Sequence, residues 1–227
     1  KYFPDKLIEL EKYTLGNLLD RYQSEVLPKK KAKGQLGQLK WWKDQLGDRK
    51  LKSFYPALIS TYKEKLIQEP SERTGRKRTP ATVNRYLALI SHVFTIAVKE
   101  WQWMEINPVM QISKPKESRG RTRFLSDEER EKLLNTCRSS ESVFLFVIVT
   151  LALSTGMRKG EILGMKWENV DLKKKRITLV ETKNGETKVV PLVSKAHELI
   201  RDLYLELEPV THGLVFPSAN NPAKPGS

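Results

Sequence analysis

The stretch Ser113-Lys114-Pro115-Lys116-Glu117-Ser118-Arg119-Gly120-Arg121 contains one Pro, one Gly, one acid and no apolar side chain. A run with nothing to bury cannot sit inside a core, so it predicts a boundary between two separately packed units. The 227 residues then divide into a unit over 1–112, a linker over 113–123 and a second unit over 124–227. The first unit reads as four helices. Thr14 caps a helix with Leu15, Leu18, Leu19, Tyr22 and Val26 on one face, and Pro28 ends it. After the basic connector Lys29-Lys30-Lys31-Ala32-Lys33-Gly34, a second helix turns Leu36, Leu39, Trp42 and Leu46 inward, and Gly47 closes it. A third runs from Pro56 to Gln68. Thr79 caps the fourth, with Pro80 at its first position, and Val83, Leu87, Ile90 and Phe94 recur at helical spacing. The tryptophans Trp41, Trp42, Trp101 and Trp103 read as core rather than as stacking platforms. Asn107-Pro108 ends this unit.

The second unit opens on a capping box, Ser126 with Glu129, on a helix that turns Leu133 and Leu134 inward. The apolar run Val143 to Leu153 follows as a central helix closed by Gly156. It is shorter than the ~20 residues of a membrane span. A short helix from Arg158 to Met165 leads to two strands, Arg176 to Val180 and Thr187 to Leu192. Asn184-Gly185 between them signals a hairpin. Ser194 is read as the cap of a further helix and Leu214-Val215-Phe216 as a short strand, with loop from Pro217 to Ser227. The fold class expected is therefore mainly α with a small antiparallel β-sheet.

Charge narrows the partner. Lys and Arg number 41 against 27 Asp and Glu, a formal net of +14. Both sides of residue 113 carry a positive excess, so this is not one basic tail on a neutral body. Such an excess favours a polyanion. No helix combines a Lys/Arg face with an exposed apolar face, which argues against a membrane surface. The single cysteine, Cys137, excludes an intrachain disulfide and a multi-cysteine zinc site. The N-terminal Lys1-Tyr2-Phe3-Pro4 has no signal-peptide pattern, so a reducing cytoplasmic setting is expected.

The segment Ser154 to Asp171 carries the chemistry. A glycine ends an apolar helix, and Arg158 starts the next turn two residues later. Glu161, three residues on, shares its helical face and can hold the guanidinium in one rotamer. A guanidinium fork suits a phosphate. By itself an Arg-x-x-Glu spacing is also an ordinary surface pair, and the surrounding residues decide the matter. Gly156, Arg158, Glu161, Ile162, Met165, Trp167, Val170 and Asp171, followed by Thr182-Lys183-Asn184-Gly185 and Val190-Pro191-Leu192, form a pattern that resembles the tyrosine recombinases, the phage integrase family. Thr79-Pro80-Ala81-Thr82-Val83-Asn84-Arg85-Tyr86-Leu87 and the Trp103 to Val109 stretch resemble that family's core-binding domain.

The resemblance implies an N-terminal four-helix (SAM-like) core-binding domain and the front part of an α+β catalytic domain. It implies that Arg158 grips the scissile phosphate, that Glu161 orients it, and that Lys183 protonates the departing 5′ oxygen, with Lys188 the competing lysine. Cleavage by a tyrosine through a 3′-phosphotyrosyl intermediate keeps the bond energy in the covalent link, so no cofactor, ATP or metal is implied. The partner implied is double-stranded DNA, clamped between the two domains, with tetramers on paired sites. Contacts are expected from Lys40 and Lys43, from Arg76, Lys77, Arg78, Thr79, Thr82 and Arg85 around the start of the fourth helix, and from Lys114, Lys116, Arg119, Arg121 and Arg123 in the linker. The family's later His-x-x-Arg is not found: none of His92, His197 and His212 has Arg three residues on. Tyr204, the one tyrosine after Arg158, reads as a packing residue. These 227 residues are therefore expected to be part of a longer recombinase and inactive alone. A non-catalytic DNA-binding regulator, or a decayed integrase, is the alternative.

Overall fold

The computed structural model describes residues 12–30, 33–72, 74–120, 123–180, 187–207, 213–218 and 221–225. The chain splits into two compact units, Lys1–Arg121 and Thr122–Ser227.

Among the described residues of the first unit, four helices cover one core: α1 (Leu15–Glu25), α2 (Leu36–Leu46), α3 (Pro56–Gln68) and α4 (Pro80–Lys99). Each start has a local cause. The Thr14 hydroxyl accepts from the Asn17 amide while the Asn17 side chain accepts from the Thr14 N–H, a reciprocal cap. Thr79 accepts from the Thr82 amide, with Pro80 next. Helix α4 is long and apolar enough to cross a membrane by length and composition. Here Val83, Leu87, Ile90, Val93, Phe94 and Ala97 are fully buried in the unit's core. Trp42, also fully buried, donates its indole N–H to the Tyr86 carbonyl at 3.1 Å and so pins α2 to α4. Trp41 is buried too, in line with its reading as core.

Three details of this unit refine or depart from the sequence reading. Leu36 is 47% exposed: at the first turn of α2 it borders an open depression lined also by Leu19 and Gln23 of α1. Gly47 closes α2 as read, in right-handed geometry, φ −54°. Its neighbourhood requires close approach: the Gly16 amide donates to the Gly47 carbonyl at 2.7 Å, and a Cβ on Gly16 would stand 3.0 Å from that oxygen. The linker sequence, finally, is tied down at its start. Asn84 donates to the Pro115 carbonyl and to Glu117, and the buried Lys63 ammonium points at the Ser113 carbonyl.

The second unit runs α5 (Asp127–Arg138), α6 (Leu145–Thr155), α7 (Lys159–Leu163), β1 (Val170–Asp171), β2 (Arg176–Leu179), β3 (Lys188–Pro191), α8 (Ser194–Leu207), β4 (Pro217–Ser218) and β5 (Asn221–Pro225). The sheet order is β1-β2-β3, both pairs antiparallel, with Ile177 opposite Val190. Leu151, Ile162, Ile177, Ala196, Ile200 and Phe216 form the centre of its core. Trp167 meets Tyr204 edge-on with ring centroids 5.2 Å apart, so Tyr204 is a packing residue in this unit, as read.

Other expectations are corrected here. Leu133 is 36% exposed and only Cys137 of α5 is buried, because that helix has too narrow an apolar stripe to sink into the core. Leu214 to Phe216 is not a strand. Val215 and Phe216 are both fully buried, which adjacent residues of a strand with one solvated face cannot be. The segment instead binds the chain after α7: Trp167 N–H to the Gly213 carbonyl and Val215 N–H to the Met165 carbonyl. The stretch read as terminal loop contains the β4–β5 pair. Ser194 does not cap α8 but is its first residue, at φ +43°. The hairpin turn with Asn184-Gly185 lies outside the described residues.

Replacing Trp42 by Ala should destabilise the first unit by about 3–5 kcal/mol. Urea unfolding followed by far-UV circular dichroism measures it; a loss below about 1 kcal/mol would mean that Trp42 does not hold α2 to α4.

Candidate active site and nucleic-acid interface

Two features stand out, one in each unit. In the second, α6 is an apolar helix that Gly156 ends in left-handed geometry, φ +64°, with its N–H returned to the Ala152 carbonyl. Only glycine takes that turn without a steric cost. Met157 then enters the core, and Arg158 leaves it with a side chain 69% exposed. Arg158 is the residue just before α7. Glu161 faces it from the first turn, its side chain only 11% exposed. One Glu161 oxygen accepts from the Arg158 backbone N–H at 2.8 Å, and the other from the Arg158 guanidinium at 2.8 Å.

That arrangement fixes both ends of one residue with one carboxylate. The backbone bond is the larger cause, and the side-chain bond the next, of a Glu161 carboxyl held below its ordinary value of 4.5. The charges of Arg158 and Lys188 act in the same direction. Among the described residues the Arg158 guanidinium bonds Glu161 alone, leaving its other donors for an anion. Lys183 lies outside the described residues. Lys188, the second-ranked lysine, opens β3 opposite Leu179, and its charge reaches the Glu161 carboxylate.

In the first unit, Lys40, Arg76, Lys77, Arg78, Thr79, Thr82 and Arg85 line one groove of about 830 Å³. Residues far apart in sequence meet there because the 70–77 segment folds back on itself, bridged between Pro70 and Lys77, against the start of α4. The groove is not uniformly basic, since Asp44 and Glu72 also line it. Its cations differ in freedom. Arg78 donates to the Glu69 carbonyl at 3.0 Å and lies over the Tyr86 ring, so much of it is committed to the fold. Lys77 bonds Gln68, and Lys40 bonds Asp44 at 2.7 Å. Such exposed pairs contribute little and exchange readily. Arg76 and Arg85 are exposed and form no ion pair among the described residues. Thr79 and Thr82 share a hydroxyl contact at 3.0 Å within the helix cap.

Lys43 does not line this groove. It pairs with Asp20 at 2.6 Å and, with Gln23, lines an adjoining depression that shares Gly37 and Lys40 with the groove. Lys116 and Arg119 are exposed on the linker, and Arg121 lies outside the described residues. Sequence reasoning passed over one cation, Lys30, whose signal was the basic connector.

Comparison with known proteins bears on both features. A profile described as "Phage integrase family" matches residues 123–226. A shufflon-specific DNA recombinase from Escherichia coli is 37% identical over 212 residues, covering 91% of this chain and 53% of that protein. An integrase of Escherichia phage P2 is 28% identical, covering 95% of this chain and 64% of that protein. This chain thus spans about half to two thirds of the length of those relatives. Among solved structures, a lambda integrase tetramer bound to a Holliday junction aligns with TM-score 0.73 at 20% identity, covering all of this chain and 66% of that one. That likeness concerns the fold, which is mainly helical with a small antiparallel sheet in both.

The Glu161 geometry has a measurable pH signature. A folded-state value below the ordinary one means the contact contributes fully at neutral pH and is lost as pH falls through the lowered midpoint. Titrating the Glu161 carboxyl carbon by NMR should give a midpoint below 4.5. In Arg158→Gln the midpoint should rise only part of the way back, because the backbone N–H survives. A midpoint unmoved by that substitution would contradict the side-chain bond.

Proposed function

Since this chain belongs to the phage integrase family of tyrosine recombinases, we propose that it carries the duplex-DNA-binding part and the leading catalytic arginine of a site-specific DNA recombinase. The observation that carries the reading is the Arg158 guanidinium, exposed beside an apolar helix end and bonded to Glu161. A donor fork fixed in advance stabilises charge that builds on phosphate oxygens as the phosphorus is attacked.

In this account a tyrosine hydroxyl attacks the scissile phosphorus. The bond to the 5′ oxygen breaks, Lys183 gives that oxygen its proton, and a 3′-phosphotyrosyl link remains. A 5′ hydroxyl of a second strand then attacks that link, and the tyrosine leaves. One phosphodiester replaces another, so no ATP is needed. Lys183 has the role through its place before the Asn184-Gly185 turn, and Lys188 is its competitor. Glu161 acts as a positioning residue. Lys40, Arg76, Lys77, Thr82 and Arg85 are the groove contacts to the DNA backbone, with Lys43, Lys116, Arg119 and Arg121 outside the groove; Arg78 and Thr79 chiefly shape its wall. Assembly as a tetramer on paired sites is proposed in parallel with the lambda integrase complex. The setting proposed is the cytoplasm, on the chromosome.

Binding of a random-sequence duplex by the 227-residue chain should be salt-sensitive. With about six phosphates neutralised, affinity falls about 10³-fold between about 50 and 200 mM salt. A salt-independent affinity would overturn the DNA reading. Incubation with duplex DNA should yield no covalent protein–DNA adduct, because neither a His-x-x-Arg nor a free tyrosine follows Arg158 in this sequence. An adduct through Tyr204 would overturn both its packing role and this division of labour.

A further inference from the structure

Among the described residues of the basic connector after α1, only Gly34 lines the groove of the first unit, yet one of the connector's lysines is held in an unusual way. The Lys30 ammonium donates to the Tyr22 hydroxyl at 3.1 Å and lies 3.0 Å from His92 Nε2. Tyr22, fully buried, also meets His92 Nδ1 at 3.1 Å. Lys30 can donate to the imidazole only while that ring is neutral. Burial first, and then the Lys30 charge, hold His92 below its ordinary value. The partners of Lys30 are thus a phenol and an imidazole, and no carboxylate bonds it among the described residues. A half-buried cation with neutral partners and no counter-ion bonded to it is a site for an anion.

Its surroundings identify which anion. Lys30 and His92 line a concavity of about 450 Å³, and Arg85, Gly34 and Gln38 line both this concavity and the groove. Arg85 and His92 are seven residues apart on α4, two turns along one face. The two hollows thus form one continuous surface whose cations on this side, Lys30 and Arg85, both lack an acidic partner among the described residues. We propose that Lys30, clamped by Tyr22 and His92, is a further contact to a DNA backbone phosphate, extending the duplex footprint past Arg85 onto the turn after α1. The proposal rests on the DNA-binding reading of the groove.

The test uses the full 227-residue chain and a random-sequence 30-bp duplex (about three turns), with affinity measured by fluorescence anisotropy over a salt series. Lys30→Gln should lower the slope of log K against log salt by about 0.9, the value of one phosphate contact, and Lys30→Arg should restore it. Arg76→Gln serves as the groove reference. If Arg76→Gln lowers the slope and Lys30→Gln does not, the extension fails and the groove stands. If neither does, the DNA reading of the groove fails with it. Should Lys30→Gln not fold, amine labelling of the wild-type chain decides: Lys30 protected by duplex supports the contact, and equal labelling with and without duplex overturns it.

Discussion

The bond between the Glu161 carboxylate and both ends of Arg158 determines what the second unit can present to a ligand. An arginine side chain has about 2 kcal/mol of rotamer entropy to lose, and an exposed one samples many directions. Here one carboxylate oxygen fixes where the residue starts and the other fixes where its guanidinium lies. The arrangement exists only because the chain can leave α6 abruptly. Gly156 in left-handed geometry reverses the path, Met157 anchors the reversal in the core, and Arg158 emerges at the next residue. A surface ion pair alone would contribute a few tenths of a kcal/mol. The bond to a backbone N–H turns the same carboxylate into part of the fold.

The first unit reaches a similar end by different means. Its helices are ordinary and apolar within, and the interface is made by what folds over them. The 70–77 segment lies against the start of α4, with Arg78 bonded to the Glu69 carbonyl and laid over Tyr86. One arginine thereby becomes scaffold, and its neighbours Arg76 and Arg85 are left without ion partners among the described residues. Asp44 and Glu72 keep the groove from being a plain positive field. On the proposed DNA reading, selectivity for a backbone path comes from where the unpartnered cations stand more than from net charge.

Much of this is legible in the sequence, for reasons that can be named. Thr14, Thr79 and Ser126 cap helices because their hydroxyls meet amides three residues on, a relation set by local spacing. The Gly156–Arg158–Glu161 junction is local in the same sense. Tertiary facts were not legible. Leu36 and Leu133 match an inward stripe but have no neighbour to cover them. Gly47 closes its helix as read, but its close contact with Gly16 was not visible. Leu214 to Phe216 has strand composition, yet it forms only an isolated bridge, Leu214 with Lys166. Among the site residues, Lys43 fell outside the groove through its pairing with Asp20. Lys30 was hidden because its partners, Tyr22 and His92, come from elements 8 and 62 residues away.

Side-chain NMR of the arginine nitrogens, recorded with and without duplex DNA, tests the central claim most directly. On this account the Arg158 Nη signals are already restrained in the free protein by Glu161. They shift further on adding duplex and show through-hydrogen-bond coupling to phosphorus. Arg158 signals that stay unchanged while those of Arg76 and Arg85 shift would contradict it, leaving a DNA-binding protein whose conspicuous arginine serves only the fold.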